Sequence, residues 1–166
     1  MGEGSTIKLS CGIYLFNNQG KMLIGHPTGF KPNVWAIPKG RVDIGETDHF
    51  SVAKRELLEE TGINLEDYNI IKFEEFDTIR YRETNKYLKG FFVKVDSDMS
   101  DVVLRCNSMV YRNGKPAFPE FDDFRWVTVD ESRELLHSFQ FSNLEMCSDI
   151  LLEKLKYLVE YKSFKL

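Results

Sequence analysis

The spacing of hydrophobic and polar positions changes several times along the chain, and each change marks an element. Thr6 to Phe16 is rich in β-branched and aromatic residues and reads as a strand. Asn17-Asn18-Gln19-Gly20 is turn chemistry, and Lys21 to His26 returns as a second strand. Pro27 to Asn33 is a Gly/Pro loop, followed by a short apolar strand, Val34 to Ile37, that Pro38 and Gly40 stop. The period then becomes helical from Asp48 to Thr61, with Thr47 or Asp48 as the cap and Gly62 as the terminator. Strands are predicted over Ile70–Ile79, Tyr87–Val95, Val102–Arg112 and Phe124–Val129, with Asn113-Gly114 as a hairpin turn. Thr128-x-x-Glu131 has the form of a capping box that opens a short helix, and Ser142-x-x-Glu145 that of a second. Leu144, Cys147, Leu151, Leu155 and Leu158 then recur at helical spacing and predict a closing amphipathic helix. Strands outnumber helices, so the class is α+β with a mixed sheet.

The 166 residues suit one domain, with residues 1–5 expected to be a flexible end. No internal repeat or low-complexity linker divides the chain. Its 22 Lys and Arg against 26 Asp and Glu leave a net charge of −4. That balance argues against a general nucleic-acid coat protein, and DNA is not an expected partner. A few local Lys and Arg contacts would still suffice at an RNA 5′ end. Cys11, Cys106 and Cys147 are far apart and odd in number, which points to reduced thiols in the cytoplasm rather than disulfides or a zinc site. No run is long enough for a membrane span, so no membrane partner is expected.

The chemistry concentrates in Arg55-Glu56-Leu57-Leu58-Glu59-Glu60-Thr61-Gly62-Ile63. On a helix Glu56, Glu59 and Glu60 stand three and four residues apart and share one anionic face. Leu58 points nearly the opposite way, flanked by Leu57 and Phe50, which predicts an apolar face there. Like charges at this spacing repel, so solvent, neighbouring cations or a bound metal must offset them. Just upstream, Gly40 to Glu46 is a Gly-bracketed loop that adds a further carboxylate. Carboxylate and carbonyl oxygens without His or Cys suit hard cations such as Mg²⁺ or Mn²⁺.

Gly40, Glu46, Arg55-Glu56-Leu57, Glu59-Glu60 and Gly62-Ile63 together resemble the Nudix box. One spacing departs from it: eight residues, Thr47 to Lys54, separate Glu46 from Arg55 where the family has seven. The extra residue belongs in Thr47–Ser51, where it bears on the pose of Glu46 and not on the helical glutamates. Trp35 to Gly40, Phe91-Phe92-Val93 and Phe124 to Val127 are also Nudix-like. The resemblance implies an α/β/α sandwich around a mixed β-sheet. It also implies hydrolysis of a nucleoside diphosphate linked to another group, with Mg²⁺ or Mn²⁺ as cofactor.

By the same resemblance Glu56 and Glu60 are metal ligands, Glu59 is a ligand or the general base, and Gly40 offers its carbonyl. Arg55 orients carboxylates, and Glu46 is structural or lies outside the ligand set. Some members carry the base on a later loop, which makes Glu120, Asp122 and Asp123 candidates. Lys39, Arg41, Lys86 and Lys89 are candidate phosphate contacts, and Phe30, Trp35 and Tyr87 candidate base-stacking residues. His26, His49 and His137 are isolated and receive no role. The Pro38-Lys39-Gly40 segment resembles the branch acting on dinucleoside polyphosphates and on capped or 5′-phosphorylated RNA. Dinucleoside polyphosphates are the lead substrate class, with an RNA 5′ end, ADP-ribose and NADH as rivals. A homodimer is compatible with the chain. The alternative from another class is a Nudix-fold binding module without catalysis; such modules usually have a damaged carboxylate set, whereas all three helical glutamates are present here.

The net charge hides a division. Residues 1–39 carry +3, and residues 40–63 carry −3. A basic leading segment thus abuts an acidic helix, the polarity expected where cations join a carboxylate site to a phosphate chain.

Overall fold

The computed structural model describes residues 6–164, so the expectation of a flexible end over residues 1–5 lies outside the described residues. The alternation of β1 (Lys8–Phe16) sets the layering. Cys11, Ile13 and Leu15 enter one buried cluster, whereas Tyr14 and Phe16 enter another on the opposite side of the sheet. β1 lies at the centre, parallel to β6 (Lys86–Val95) and antiparallel to β2 (Met22–Pro27) and β3 (Lys39–Arg41). β4 (Ile70–Glu75) and β5 (Ile79–Arg80) pair with β6, and β9 (Phe121–Val127) closes the other edge beside β2. The sheet is therefore mixed. α1 (His49–Thr61) covers one face through Val52, Ala53 and Leu57. α2 (Val129–Leu135) and α3 (Ser138–Glu145) cover the other through Leu135, Phe139, Phe141 and Leu144. This is the expected α+β sandwich.

The local signals for α1 and α2 hold. The Asp48 side chain accepts from the Ser51 N–H at 3.2 Å, and Gly62 ends α1 in a left-handed conformation with φ of 82°. Thr128 and Glu131 form the reciprocal capping box of α2. Asn113 and Gly114, both with positive φ, turn β7 (Met109–Arg112) into β8 (Lys115–Pro119). The three cysteines are free.

Five expectations are corrected. Val34–Ile37 is not a regular strand: Ala36 makes an isolated bridge to Gly25 and Trp35 one to Leu136. Residues 102–108 form no regular strand. Instead the Arg105 and Asn107 amides donate to Thr61 O (2.9 Å) and Glu59 O (2.7 Å), satisfying carbonyls that the end of α1 leaves open. Leu58 is 44% exposed, so the apolar side of α1 is not centred on it. Ser142 lies inside α3 and bonds back to Phe139 O rather than opening a helix. The closing helix is broken near Met146–Cys147. Leu144 and Cys147 are buried, whereas α4 (Ser148–Phe164) leaves Leu151, Leu155 and Leu158 exposed. No described helix is long and apolar enough to cross a membrane.

Replacing Asp48 with Ala removes the cap of α1 and should destabilise the protein by about 1 kcal/mol. At this chain length the thermal midpoint should fall by roughly 2–4 °C. A midpoint equal to wild type in a thermal melt would show that the cap contributes nothing.

Candidate active site

Ala53, Glu56, Leu57 and Glu60 occupy positions i, i+3, i+4 and i+7, and all four are buried on the sheet-facing stripe of α1. The carboxylates therefore share the apolar stripe instead of lying opposite it. Glu56 is 7% exposed and Glu60 3%. The stripe faces the segment around β3, where the Lys39 N–H donates to Glu60 Oε2 at 2.9 Å. A Cβ on Gly40 would stand 1.9 Å from the Glu56 carboxyl carbon. Only glycine lets this carboxylate lie against the backbone.

Arg55 gathers the remaining acids. Its Nε and Nη2 donate to the two oxygens of Glu46 at 3.2 and 2.8 Å, a two-pronged contact across the Thr47–Lys54 stretch. Its Nη1 donates to Glu56 Oε1 at 2.9 Å and Glu59 Oε1 at 3.2 Å, and Nη2 lies 3.5 Å from Asp43 Oδ2. The pairing with Glu46 holds that carboxyl below its usual range and raises the guanidinium further. Burial outweighs the nearby Arg55 at Glu56, whose carboxyl is pushed up to about 7. Burial, and after it the neighbouring Glu120, pushes Glu60 well above the carboxylate range. The sheet thus brings Glu120, from the end of β8, to the helical glutamates.

Among the described residues no three His, Cys, Asp or Glu side chains form a ready-made cation cage, and the Arg55 guanidinium is paired with Glu46, Glu56 and Glu59. The donor set nevertheless fits a hard divalent cation. It consists of oxygen donors, it includes buried carboxylates held toward protonation, and its glycine backbone admits close approach.

An open cleft of about 1420 Å³ contains Glu56, Glu59, Glu60, Gly40, Arg55 and Glu120. Lys39, Arg41 and Lys86 line it as well, and among the described residues none of their side chains is in an ion pair. Lys89 is not on its wall; it is bound to Glu75 at 3.0 Å. Phe30 (61% exposed) and Tyr87 line the cleft, while Trp35 also reaches it but is largely buried, with Arg125 4.7 Å from its ring. Asp122 is occupied by His26 Nδ1 at 2.6 Å, and Glu46 and Asp123 are not among the lining residues. His137, given no role from the sequence, lines the cleft with Tyr81 and Phe139, and its Nε2 is 3.0 Å from the Tyr81 hydroxyl. His137 and Phe139 are neighbours at the start of α3, but nothing in the spacing could have joined them to Tyr81, which follows β5 and meets them only in the folded chain.

The NUDIX domain model matches residues 6–147. The chain is 30% identical over 132 residues to an RNA pyrophosphohydrolase of Pseudoalteromonas translucida, covering 77% of this chain and 74% of that protein. It is 32% identical over 126 residues to an uncharacterized 17.7 kDa protein of Enterobacteria phage T4, covering 72% and 81%. The chain belongs to the Nudix family and is a hydrolase of that family. The fold is shared with the C. elegans Ap4A hydrolase binary complex (TM-score 0.56, 21% identity, 91% of this chain and 98% of that one). It is shared too with the NUDIX domain of Shewanella oneidensis NrtR complexed with ADP ribose (TM-score 0.58, 14% identity, 91% and 90%).

A pH dependence follows for the metal-free protein. The folded Glu56 carboxyl binds its proton more tightly than the unfolded one, so its contribution is full below pH 4.5 and is lost as pH rises through about 7. Thermal midpoints in a chelating buffer should fall across that window, and Glu56→Gln should flatten the fall. An identical pH profile in the variant would remove Glu56 as the cause. Gly40→Ala should push Glu56 out of place, and a loss of divalent-cation binding by calorimetry checks it. Binding as tight as wild type would show that the contact yields.

Proposed function

We propose that this Nudix enzyme hydrolyses a pyrophosphate bond in a nucleoside diphosphate linked to another group, with dinucleoside polyphosphates as the lead substrate class. The observation that carries this reading is the composition of this cleft. Buried acids at Glu56 and Glu60 share the cleft with Lys39, Arg41 and Lys86, which among the described residues are in no ion pair, and with aromatic rings at Phe30, Tyr81 and Tyr87. A substrate that is anionic in the middle and aromatic at its ends complements that arrangement.

Glu56, Glu60 and Glu59, with the Gly40 carbonyl, would hold Mg²⁺ or Mn²⁺. When bound, the ion supplies charge neutralisation, a more acidic water and stabilisation of phosphoryl oxygens. Arg55 fixes the orientation of Glu56 and Glu59 while itself anchored by Glu46. Lys39, Arg41 and Lys86 draw the polyphosphate in by charge. Glu59, bonded to Arg55 and partly open to solvent, and Glu120, beside Glu60, are the two candidates for accepting the proton of the attacking water.

A second reading places the same chemistry at an RNA 5′ end. It is favoured by the relatives from Pseudoalteromonas translucida and Vibrio atlanticus, 30% and 28% identical, both RNA pyrophosphohydrolases.

The test is a substrate panel with products identified by mass: dinucleoside polyphosphates, 5′-triphosphorylated and capped RNA, ADP-ribose, NADH and nucleoside triphosphates. The lead reading expects the highest kcat/KM on dinucleoside polyphosphates, and preference for triphosphorylated RNA moves the assignment to the second. Glu60→Gln should lower kcat by roughly 100-fold or more with the fold retained, and chelation should abolish turnover. A folded Glu60→Gln enzyme with most of its activity would overturn the ligand assignment.

A further inference from the structure

The β7–β8 hairpin stands apart from the main sheet as a two-stranded sheet of its own, yet it is rooted among the carboxylates. The Glu120 N–H donates to Ser108 O at 2.8 Å and closes its base. One leg follows Asn107, whose amide holds Glu59 O; the other runs into Glu120 itself. Thr28 ties down the second leg, donating from its backbone to Glu120 O at 3.0 Å and from Oγ1 to Pro119 O. Both legs are thus held beside groups already placed in the site, while the Asn113-Gly114 tip projects away from this root.

One face of the hairpin lines the cleft. Val110 and Phe118 are register partners, so their side chains share a face, and both border the cleft together with Arg112. Tyr111, between them in sequence, is 64% exposed and is not on the cleft wall. The Arg112 guanidinium carbon stands 5.1 Å from the centre of the Phe118 ring. Among the described residues this guanidinium has no carboxylate partner. The cation–ring contact orders the side chain and leaves its donors available. An apolar floor, an aromatic face and a planar cation with open donors are the groups that hold a nucleotide: base against ring, phosphate against guanidinium.

We propose that Val110, Arg112 and Phe118 form the binding surface for the second nucleotide unit, the one beyond the scissile anhydride. Phe118 and Val110 pack against its base, and Arg112 donates to one of its phosphate oxygens. This inference rests on the reading of the substrate as a polyphosphate with nucleotides at both ends. It assigns to the hairpin the discrimination between such substrates and those with a single base.

The test compares kcat/KM for a dinucleoside tetraphosphate with kcat/KM for a nucleoside triphosphate in wild type, Arg112→Ala, Arg112→Lys and Phe118→Ala. The ratio of the two should fall about tenfold in each Ala variant, mainly through KM on the dinucleotide, with Arg112→Lys between them and wild type. A ratio that stays at the wild-type value in both Ala variants overturns the inference. A changed oligomeric state by light scattering, with the ratio unchanged, does so as well and makes the hairpin a subunit contact. If wild type turns over neither compound, the functional reading falls separately, and calorimetry with the same two compounds as probes decides. The wild type's tighter binding of the dinucleotide should disappear in Arg112→Ala, and equal affinities in both proteins overturn the assignment.

Discussion

The rest of the site depends on two carboxylates turned inward. Ala53, Glu56, Leu57 and Glu60 form the stripe with which α1 meets the sheet, so Glu56 and Glu60 are withdrawn from water as the helix packs. A buried carboxylate is unfavourable unless something compensates it. The surrounding chain supplies several small compensations. Gly40 has no side chain to displace Glu56, the Lys39 amide meets Glu60, and Arg55 reaches Glu56 from the same helix. The Arg105 and Asn107 amides close off the last carbonyls of α1, which fixes the turn carrying Glu59 and Glu60. The segments around residues 39–46 and 105–107, and the strand end at Glu120, are therefore shaped by one requirement.

Compensation is incomplete, and the remainder is what gives the site its chemistry. Arg55 is one positive charge shared among Glu46, Glu56 and Glu59, and Glu60 has a backbone amide but no cation bonded to it. The pair responds by holding protons, Glu56 up to about 7 and Glu60 well above the carboxylate range. A proton and a divalent cation would compete for the same oxygens, so cation binding should strengthen as pH rises. The basic rim is not bonded to the acids: among the described residues Lys39, Arg41 and Lys86 border the cleft without an ion pair, and the Lys39 side chain acts on Glu60 only through its charge. Had they paired, the charge available to a phosphate chain would already be spent.

Much of this was legible in the chain. The two-residue period of β1, the caps of α1 and α2, the Asn113-Gly114 turn and the clustering of Glu56, Glu59 and Glu60 are local properties, and each survives in the fold. What was not legible depends on a partner distant in sequence. Hydrophobicity predicts an apolar face centred on Leu58 with the glutamates opposite; in the structure Leu58 is exposed, Glu56 and Glu60 are buried beside Leu57, and Glu59 stays partly open, with Glu56 lying against the backbone of Gly40. Residues 102–108 have the composition of a strand, but their amides are claimed by the end of α1. Ser142 has the spacing of a cap, yet α3 already begins four residues earlier, at Ser138, with His137 as its cap. The aromatic group Tyr81, His137 and Phe139 has no signature in the sequence at all.

Charge counting sets a further condition on how the cleft fills. Glu46, Glu56, Glu59, Glu60 and Glu120 carry up to five negative charges against the single guanidinium of Arg55. A polyphosphate brought alone to that surface would add negative charge to an already unbalanced site, and at about 4 Å each pair of like unit charges repels by about 1 kcal/mol in bulk water and about 4 kcal/mol at an effective dielectric of about 20. Lys39, Arg41 and Lys86 can offset part of it along the wall, but among the described residues no cation besides Arg55 is bonded to these five acids. Divalent cations and substrate should therefore bind cooperatively, each lowering the electrostatic cost of the other. The same reasoning explains why the carboxylates are buried rather than left on a solvated face. In water their charge would be screened and their affinity for a strongly hydrated cation would be weak. Turned toward the sheet, with Glu56 held by Arg55 and Glu60 by the Lys39 amide, they form a site that cations and phosphate entering together would neutralise.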